Sequence, residues 1–145
     1  MTAPWGARRK PERRGIVSVA GTWWLLHNRT YPLSRALWVR PCVSFVCRLL
    51  GLMGRAPLPE DRGLLFIFPQ ASRWGSAIHM FGMRFDLAVV WLDETRRVVD
   101  VRLARRWRSV CVPRRPARYV LELPVSWLEA FTPGDEVTWD EATKS

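Results

Sequence analysis

Residues that often carry chemistry are scarce in this sequence. It contains three cysteines and two histidines, and its 13 acidic residues face 23 lysines and arginines. The cysteines are Cys42, Cys47 and Cys111, and no pair has the spacing of zinc ligands. Because Cys42 and Cys47 would lie on different faces of a helix, we expect reduced thiols in a cytoplasmic protein. We expect no metal or other cofactor, and a redox or metal role for the thiols is the alternative.

A long apolar run is also missing. The longest one near the amino terminus, residues 16–26, contains Ser, Gly and Thr and has about half of the length that a membrane-spanning helix requires. No small-residue cleavage site follows it, so we expect neither a membrane span nor a secretory signal. Residues 1–20 are basic and aperiodic, and we interpret them as a disordered arm.

Apolar residues and arginine are abundant. The hydrophobic fraction is 48%, with nine tryptophans, which suffices for one buried core. We therefore predict a single domain over residues 21–141. The net charge of +10 comes almost entirely from arginine, and it indicates either a solvated arginine-rich surface or an anionic partner such as nucleic acid.

Hydrophobic periodicity predicts seven or eight strands and two short helices. Most connections are too short for parallel crossovers, so the sequence indicates an α+β fold with a mostly antiparallel, barrel-like sheet. The predicted strands cover residues 22–28, 33–40, 63–69, 76–81, 84–93, 98–103, 119–123 and 137–139, and the predicted helices cover 41–53 and 124–131.

Three stretches in order resemble one family. They are GLMGR with LP and GLLF (residues 51–66), IHMFGMRF with VVWLD (78–93), and ARYVLELP with GD (117–135). The chain resembles the prokaryotic family known as domain of unknown function 192, from about residue 22 to 140. The resemblance implies a compact α+β domain with a barrel-like sheet, and it assigns no established catalytic activity, so whether the protein is an enzyme stays open. We expect a bacterial source.

The sequence departs from the pattern of this family at one place. Members read Pro-Ile-Asp or Pro-Leu-Asp where this chain has Asp86-Leu87-Ala88, so the acidic position holds Ala88. If residues 84–93 form one strand, Asp86 shares the face of position 88 and could replace the missing carboxylate. Alternatively, any site built on that acid is lost.

Polar residues that interrupt apolar strands mark a candidate cleft for a small ligand or a protein partner. Its centre is His79, Arg84 and Asp86, with Arg55 and Arg118 as neighbours. His79 could carry a proton, and Arg84 could pair with Asp86. An enzyme that uses His79 with Asp86 is a further alternative, and it requires these groups about 3–4 Å apart. Each residue could equally have a structural role.

A cluster of arginines around a tryptophan suggests nucleic-acid binding as the other alternative. Arginines neutralise phosphates, and an exposed indole can stack on a base. The cluster contains Arg105, Arg106, Trp107, Arg108, Arg114 and Arg115. Glu122, which alternates with Leu121 and Leu123, is expected on the solvated face of its strand.

Overall fold

The computed structural model describes residues 22–44, 47, 56–107 and 110–140. Within them the chain forms nine strands and one 3₁₀ helix, Val125–Ala130. The strands are β1 (Trp24–Asn28), β2 (Leu37–Cys42), β3 (Arg62–Ser72), β4 (Ile78–His79), β5 (Leu87–Leu92), β6 (Val98–Ala104), β7 (Val110–Cys111), β8 (Ala117–Leu123) and β9 (Val137–Asp140). The predicted arm, residues 1–20, lies outside the described residues.

Seven of these strands form one sheet in the order β6-β5-β8-β3-β2-β1-β9. The described ladders of this sheet are antiparallel except β2 with β3, which run parallel. The sheet is therefore mixed, with one parallel pair in an arrangement that is mostly antiparallel, as the sequence predicted. Residues 43–61 separate β2 from β3 and provide the length that a parallel connection requires.

The sheet curls until its two edge strands meet at one end. Arg97, just before β6, forms a bridge with Glu136, just before β9. The amide of Val98 donates to the carbonyl of Asp135 over 2.8 Å, and the amide of Val137 donates to that of Arg96 over 3.0 Å. This contact produces the barrel-like curvature that the sequence predicted.

Two apolar layers cover the two faces of the sheet. The inner core takes side chains from all seven strands, for example Leu26, Leu65 and Val90, and is completed by Trp127 of the 3₁₀ helix. The outer core lies on the opposite face of β3, β5 and β8 and includes Trp91. Strand β5 serves both layers, because alternate side chains point to opposite faces and all six of its residues are buried.

The predicted helix from Pro41 is wrong at its start, because Pro41 and Cys42 belong to β2. Strand β1 pairs with β2 only as far as Val39, so Pro41 has a single neighbouring strand and its missing N–H is tolerated. Cys47 is helical, and the rest of the predicted helix from residue 45 to 53 lies outside the described residues. The second predicted helix is present as the 3₁₀ helix Val125–Ala130.

A disulfide joins Cys42 to Cys47, which corrects the expectation of reduced thiols. The sequence argument assumed that both cysteines lie on one helix. Cys42 instead ends a strand, and its Cα lies 5.6 Å from that of Cys47, a distance suited to a disulfide. Cys111 is a free thiol, and burial raises its pKa above the ordinary value of 9.0.

Candidate functional site

The short β4–β7 ladder and the loops around it form one continuous surface, which we call the loop face and define as residues 73–86, 105–107 and 110–115. In the ladder, Ile78 pairs with Cys111 and His79 pairs with Val110. Three further contacts join the loops. The amide of Trp107 donates to the carbonyl of Met80 (3.0 Å), the amide of Arg106 donates to Asp86 Oδ1 (2.9 Å), and Arg73 Nε donates to the carbonyl of Pro113 (3.0 Å). The two sites that the sequence suggested separately therefore meet on one surface.

Apolar side chains anchor the loop face to the outer core. Ile78, Met80 and Met83 are buried there. Trp91, on β5 beneath them, is fully buried and its Nε1 donates to the carbonyl of Ser76 over 2.9 Å. The loops are thus held by packing and by hydrogen bonds, among them the side-chain contacts of Arg73 and Asp86.

The outward side chains are aromatic and cationic. Trp74, Phe81 and Trp107 are 72%, 51% and 66% exposed. The loop face also carries six exposed arginines, namely Arg73, Arg84, Arg105, Arg106, Arg114 and Arg115. The single acidic residue of the loop face, Asp86, already accepts a hydrogen bond from the Arg106 amide. Large exposed aromatic groups among charges of one sign are typical of a binding surface.

A buried carboxylate positions the segment of the loop face that contains Arg114. Asp100 on β6 has a side chain that is 5% exposed. Its Oδ2 accepts a hydrogen bond from the amide of Arg114 (3.0 Å) and from Arg102 Nη2 (2.8 Å). Asp100 was not among the residues selected from the sequence, and a carboxylate between the apolar Val99 and Val101 was the available signal.

The predicted cleft residues that the structure describes have different local surroundings. Arg84 and Asp86 precede β5, which begins at Leu87, so the expectation that they share a strand face is wrong. Arg84 is exposed and makes no hydrogen bond or ion pair with another described residue. Arg118 is used structurally, since its Nε donates to the carbonyl of Phe68 over 3.0 Å. Arg55, like Arg108 of the basic cluster, lies outside the described residues.

His79 sits between the loop face and the outer core. Its ring stacks on Phe81 with the centroids 5.9 Å apart, and its buried Nδ1 has no hydrogen-bond partner among the described residues. No hydrogen bond or ion pair joins His79 to Asp86, so the proton-transfer pair that the enzyme alternative requires is not formed in this structure.

Ala88 and Asp86 occupy different environments. Ala88 is fully buried in the inner core, where it pairs with Leu103 and Leu123. Asp86 lies before the strand, where it bonds to Arg106 on the loop face. Asp86 therefore does not take the place of a carboxylate at position 88.

Asp86 does line a pocket of about 330 Å³ on the other side of its loop. The pocket walls are Pro57, Leu58, Glu60, Phe85, Asp86, Leu87, Pro124, Val125 and Ser126. The Ser126 hydroxyl donates to Glu60, and Arg35 Nη2 lies 3.9 Å from the same Glu60 oxygen. A second pocket of about 460 Å³, under the turn after β1, contains none of the predicted site residues.

Glu122 is the largest departure from the sequence expectation. It is 5% exposed and lies between Leu64 of β3 and Val89 of β5, both of which belong to the outer core. Burial raises the pKa of its carboxyl to about 8. The expectation of a solvated face is wrong because the outer face of the sheet is covered by a second layer.

The described residues form neither a metal site nor a membrane-spanning helix. No group of three or more His, Cys, Asp and Glu side chains is placed there to hold a metal ion. In the same part of the chain, no helix has the length and apolar character needed to cross a membrane.

Together these features define a small curled-sheet domain with an arginine- and tryptophan-bearing loop face. The chain belongs to the family described as Uncharacterized ACR, DUF192, whose profile matches residues 30–139. The resemblance inferred from the sequence is thereby confirmed.

Curated relatives are archaeal members of the uncharacterised UPF0127 group. The protein of Thermococcus gammatolerans is 41% identical over 103 residues, covering 70% of this chain and 65% of the relative. That of Pyrococcus horikoshii is 37% identical over 117 residues, covering 79% of this chain and 98% of the relative. The archaeal origin of these relatives contradicts the expectation of a bacterial source. The chain spans less than two thirds of the length of the Thermococcus gammatolerans relative.

Two solved bacterial structures share the fold. The Sinorhizobium meliloti 1021 protein, named a "putative transcription regulator", matches with a TM-score of 0.70 at 25% identity and covers 85% of this chain and 96% of its own. A protein of unknown function from Novosphingobium aromaticivorans matches with a TM-score of 0.68 at 19% identity, over 85% of this chain and 90% of its own, which shows the fold alone.

Proposed function

We propose that this chain is a binding domain and that the loop face binds an extended anionic partner. The observation that carries the proposal is the joining of two chain segments into one surface that exposes six arginines and three aromatic rings. The charge of the two segments supports it: residues 68–86 and 104–118 contain eight arginines and one acidic residue. Such a concentration of one sign attracts anions and raises their rate of association.

The construction of the loop face supports the same proposal. The β4–β7 pairs and the Trp107–Met80, Arg106–Asp86 and Arg73–Pro113 hydrogen bonds hold the loops in place before any partner arrives. A surface that is already ordered loses little conformational entropy on binding. The name of the Sinorhizobium meliloti relative, which links that protein to transcription, is compatible with an anionic partner.

Removal of two loop-face charges is expected to weaken binding to heparin and to inorganic polyphosphate. The double variant Arg105→Gln/Arg106→Gln should bind roughly tenfold more weakly at low salt, since each exposed ion pair contributes up to about 1 kcal/mol. The hydrogen bond from the residue 106 amide to Asp86 uses the backbone and is retained. Titration calorimetry and the salt concentration of elution from immobilised heparin measure the effect.

The matched control is Arg29→Gln/Arg35→Gln, which removes the same two charges from exposed arginines outside the loop face. It should retain most of the heparin affinity. Equal losses in the two double variants, or no heparin binding by the unmodified protein at about 0.05 M salt, would contradict the proposal.

A second candidate function is the binding of a small amine in the pocket beside Asp86. Its volume of about 330 Å³ lies in the range of small-ligand sites, and its polar lining is two carboxylates and a hydroxyl among apolar walls. Small primary amines are expected to raise the melting temperature of the protein, whereas carboxylic acids of the same shape should not.

The Asp86→Asn variant tests this candidate, because it removes the charge and can still accept the hydrogen bond from the Arg106 amide. The amine-induced shift should disappear in Asp86→Asn and persist in Glu129→Gln, an exposed carboxylate outside the pocket lining. A set of amines that gives no shift in the unmodified protein removes the candidate.

A further inference from the structure

We infer that the anionic partner of the loop face is single-stranded nucleic acid, whose bases stack on Trp74 and Trp107 while arginines hold its phosphates. This inference rests on the proposed function and makes it more specific. A surface that recognised charge alone would not require large exposed rings. The loop face exposes both arginines and large aromatic rings. The arginines account for attraction to phosphates, and the rings account for stacking on bases.

The rings are suited to stacking. Trp107 is 66% exposed, Trp74 is 72% exposed, and the ring of Phe81, which is 51% exposed, stacks on His79. The three rings lie on separate loops, and the β4–β7 ladder joins the chain segments that carry them. Trp107 has a positive φ of 60°, a backbone conformation uncommon for a tryptophan, and the hydrogen bond from its amide to Met80 holds it there. The backbone that carries the Trp107 ring is thus held in one conformation.

The cations are all of one kind. Among lysines and arginines, every one in the described part of the chain is arginine, because the two lysines of the sequence are Lys10 and Lys144. The planar guanidinium binds phosphate oxygens through two hydrogen bonds and also stacks on flat rings, which lysine cannot do. An anionic membrane attracts lysine and arginine alike, so the arginine content and the flat exposed rings favour nucleic acid over a lipid surface.

The shape of the surface favours single strands over a duplex. The described part of the loop face consists of loops and a two-residue ladder and contains no helix to enter the major groove. Bases in a duplex are stacked on each other, so their faces are not available to a protein side chain. Single strands leave the base faces open, and stacking on an aromatic residue contributes about 1–3 kcal/mol per base.

The experiment compares four probes by fluorescence anisotropy or co-sedimentation: a 15-nucleotide oligothymidylate, a mixed-sequence duplex of the same length, heparin, and vesicles of phosphatidylcholine with phosphatidylserine. The protein is expected to bind the single strand more tightly than the duplex, with an affinity that falls steeply as salt rises. Trp107→Ala should weaken binding to oligothymidylate roughly 5- to 100-fold while changing heparin binding less than about twofold. Trp107→Phe, which retains a flat ring, should recover most of the loss.

Tyr31 provides the matched control, since its exposure of 66% equals that of Trp107 and it lies on the turn after β1. Tyr31→Ala should leave binding to oligothymidylate unchanged. If heparin binds but the tryptophan variants bind the single strand normally, the stacking inference is wrong and the proposed function stands. If the protein binds vesicles and not the oligonucleotide, the inference is also wrong. Absence of binding to all four probes overturns both.

Discussion

Replacing Glu122 with Gln should stabilise the protein at pH 8.5 and remove most of the pH dependence of its stability between pH 4.5 and 8. Burial raises the pKa of Glu122 from 4.5 to about 8 in the folded state. Below pH 4.5 the carboxyl is protonated in both states and has no effect. Between the two pKa values the unfolded chain releases the proton and the folded chain keeps it, so stability falls as pH rises. Above about pH 8 the loss is complete.

The size of this effect follows from the pKa difference. Each pKa unit corresponds to about 1.4 kcal/mol, so the free energy of unfolding should fall by at most about 5 kcal/mol across this interval. Glutamine resembles the protonated carboxyl in shape and has no charge to bury. The Glu122→Gln variant should therefore keep the higher stability at all pH values in the window.

Urea denaturation at unit steps from pH 5 to pH 9 measures this difference. Glu129→Gln is the control, because Glu129 is exposed and its replacement should leave the pH profile unchanged. Cys111 contributes little below about pH 8, because its thiol is still mostly protonated there in the unfolded chain and burial raises its pKa further in the folded chain. A wild-type profile that is flat from pH 5 to pH 8 would show that the Glu122 carboxyl is solvated and that the outer core is open around it.

Truncation of Trp91 to alanine should destabilise the domain by about 3–5 kcal/mol, the usual cost of deleting a buried aromatic ring. Trp91 is fully buried in the outer core, and its Nε1 hydrogen bond to Ser76 ties the loop face to the sheet. The Arg102 guanidinium also lies over its ring, 5.6 Å from the centroid. The variant loses packing and a buried hydrogen bond together.

The smaller change Trp91→Phe keeps most of the packing and removes the hydrogen-bond donor, so it should cost about 1–3 kcal/mol because the Ser76 carbonyl is left unpaired. The control is Trp74→Ala, since Trp74 is 72% exposed and its removal should change stability by less than about 0.5 kcal/mol. The midpoint of urea unfolding measures all three variants. Equal midpoints for Trp91→Ala and Trp74→Ala would contradict the packing described for the outer core.

Variants of these two tryptophans distinguish effects on stability from effects on binding. Trp91 supports the loop face from below, whereas Trp74 extends from it into solvent. The structure thus predicts that Trp74→Ala affects the binding of single strands alone. Trp91→Ala should lower stability first and binding as a consequence.

The family and most strands of the curled sheet could be predicted from the sequence, because both depend on local patterns. The apolar run of β5 and the alternation in β6 and β8 are properties of consecutive residues, and the structure confirms these strands. The sequence predictions were wrong where contacts between distant parts of the chain determine the local structure. Pro41 looks like the start of a helix, and it is the parallel pairing with β3 that makes it part of a strand.

The candidate site was only partly predictable for the same reason. The sequence marked the segment around His79 and the arginines around Trp107 separately, and their meeting depends on β4–β7 pairing between residues about 30 positions apart. Glu122 shows the limit most clearly. Its alternation with Leu121 and Leu123 established that it faces away from them, and only the layer folded over that face decided that it is buried. Period-two geometry determines the side of a strand, whereas burial depends on what the rest of the chain packs against it.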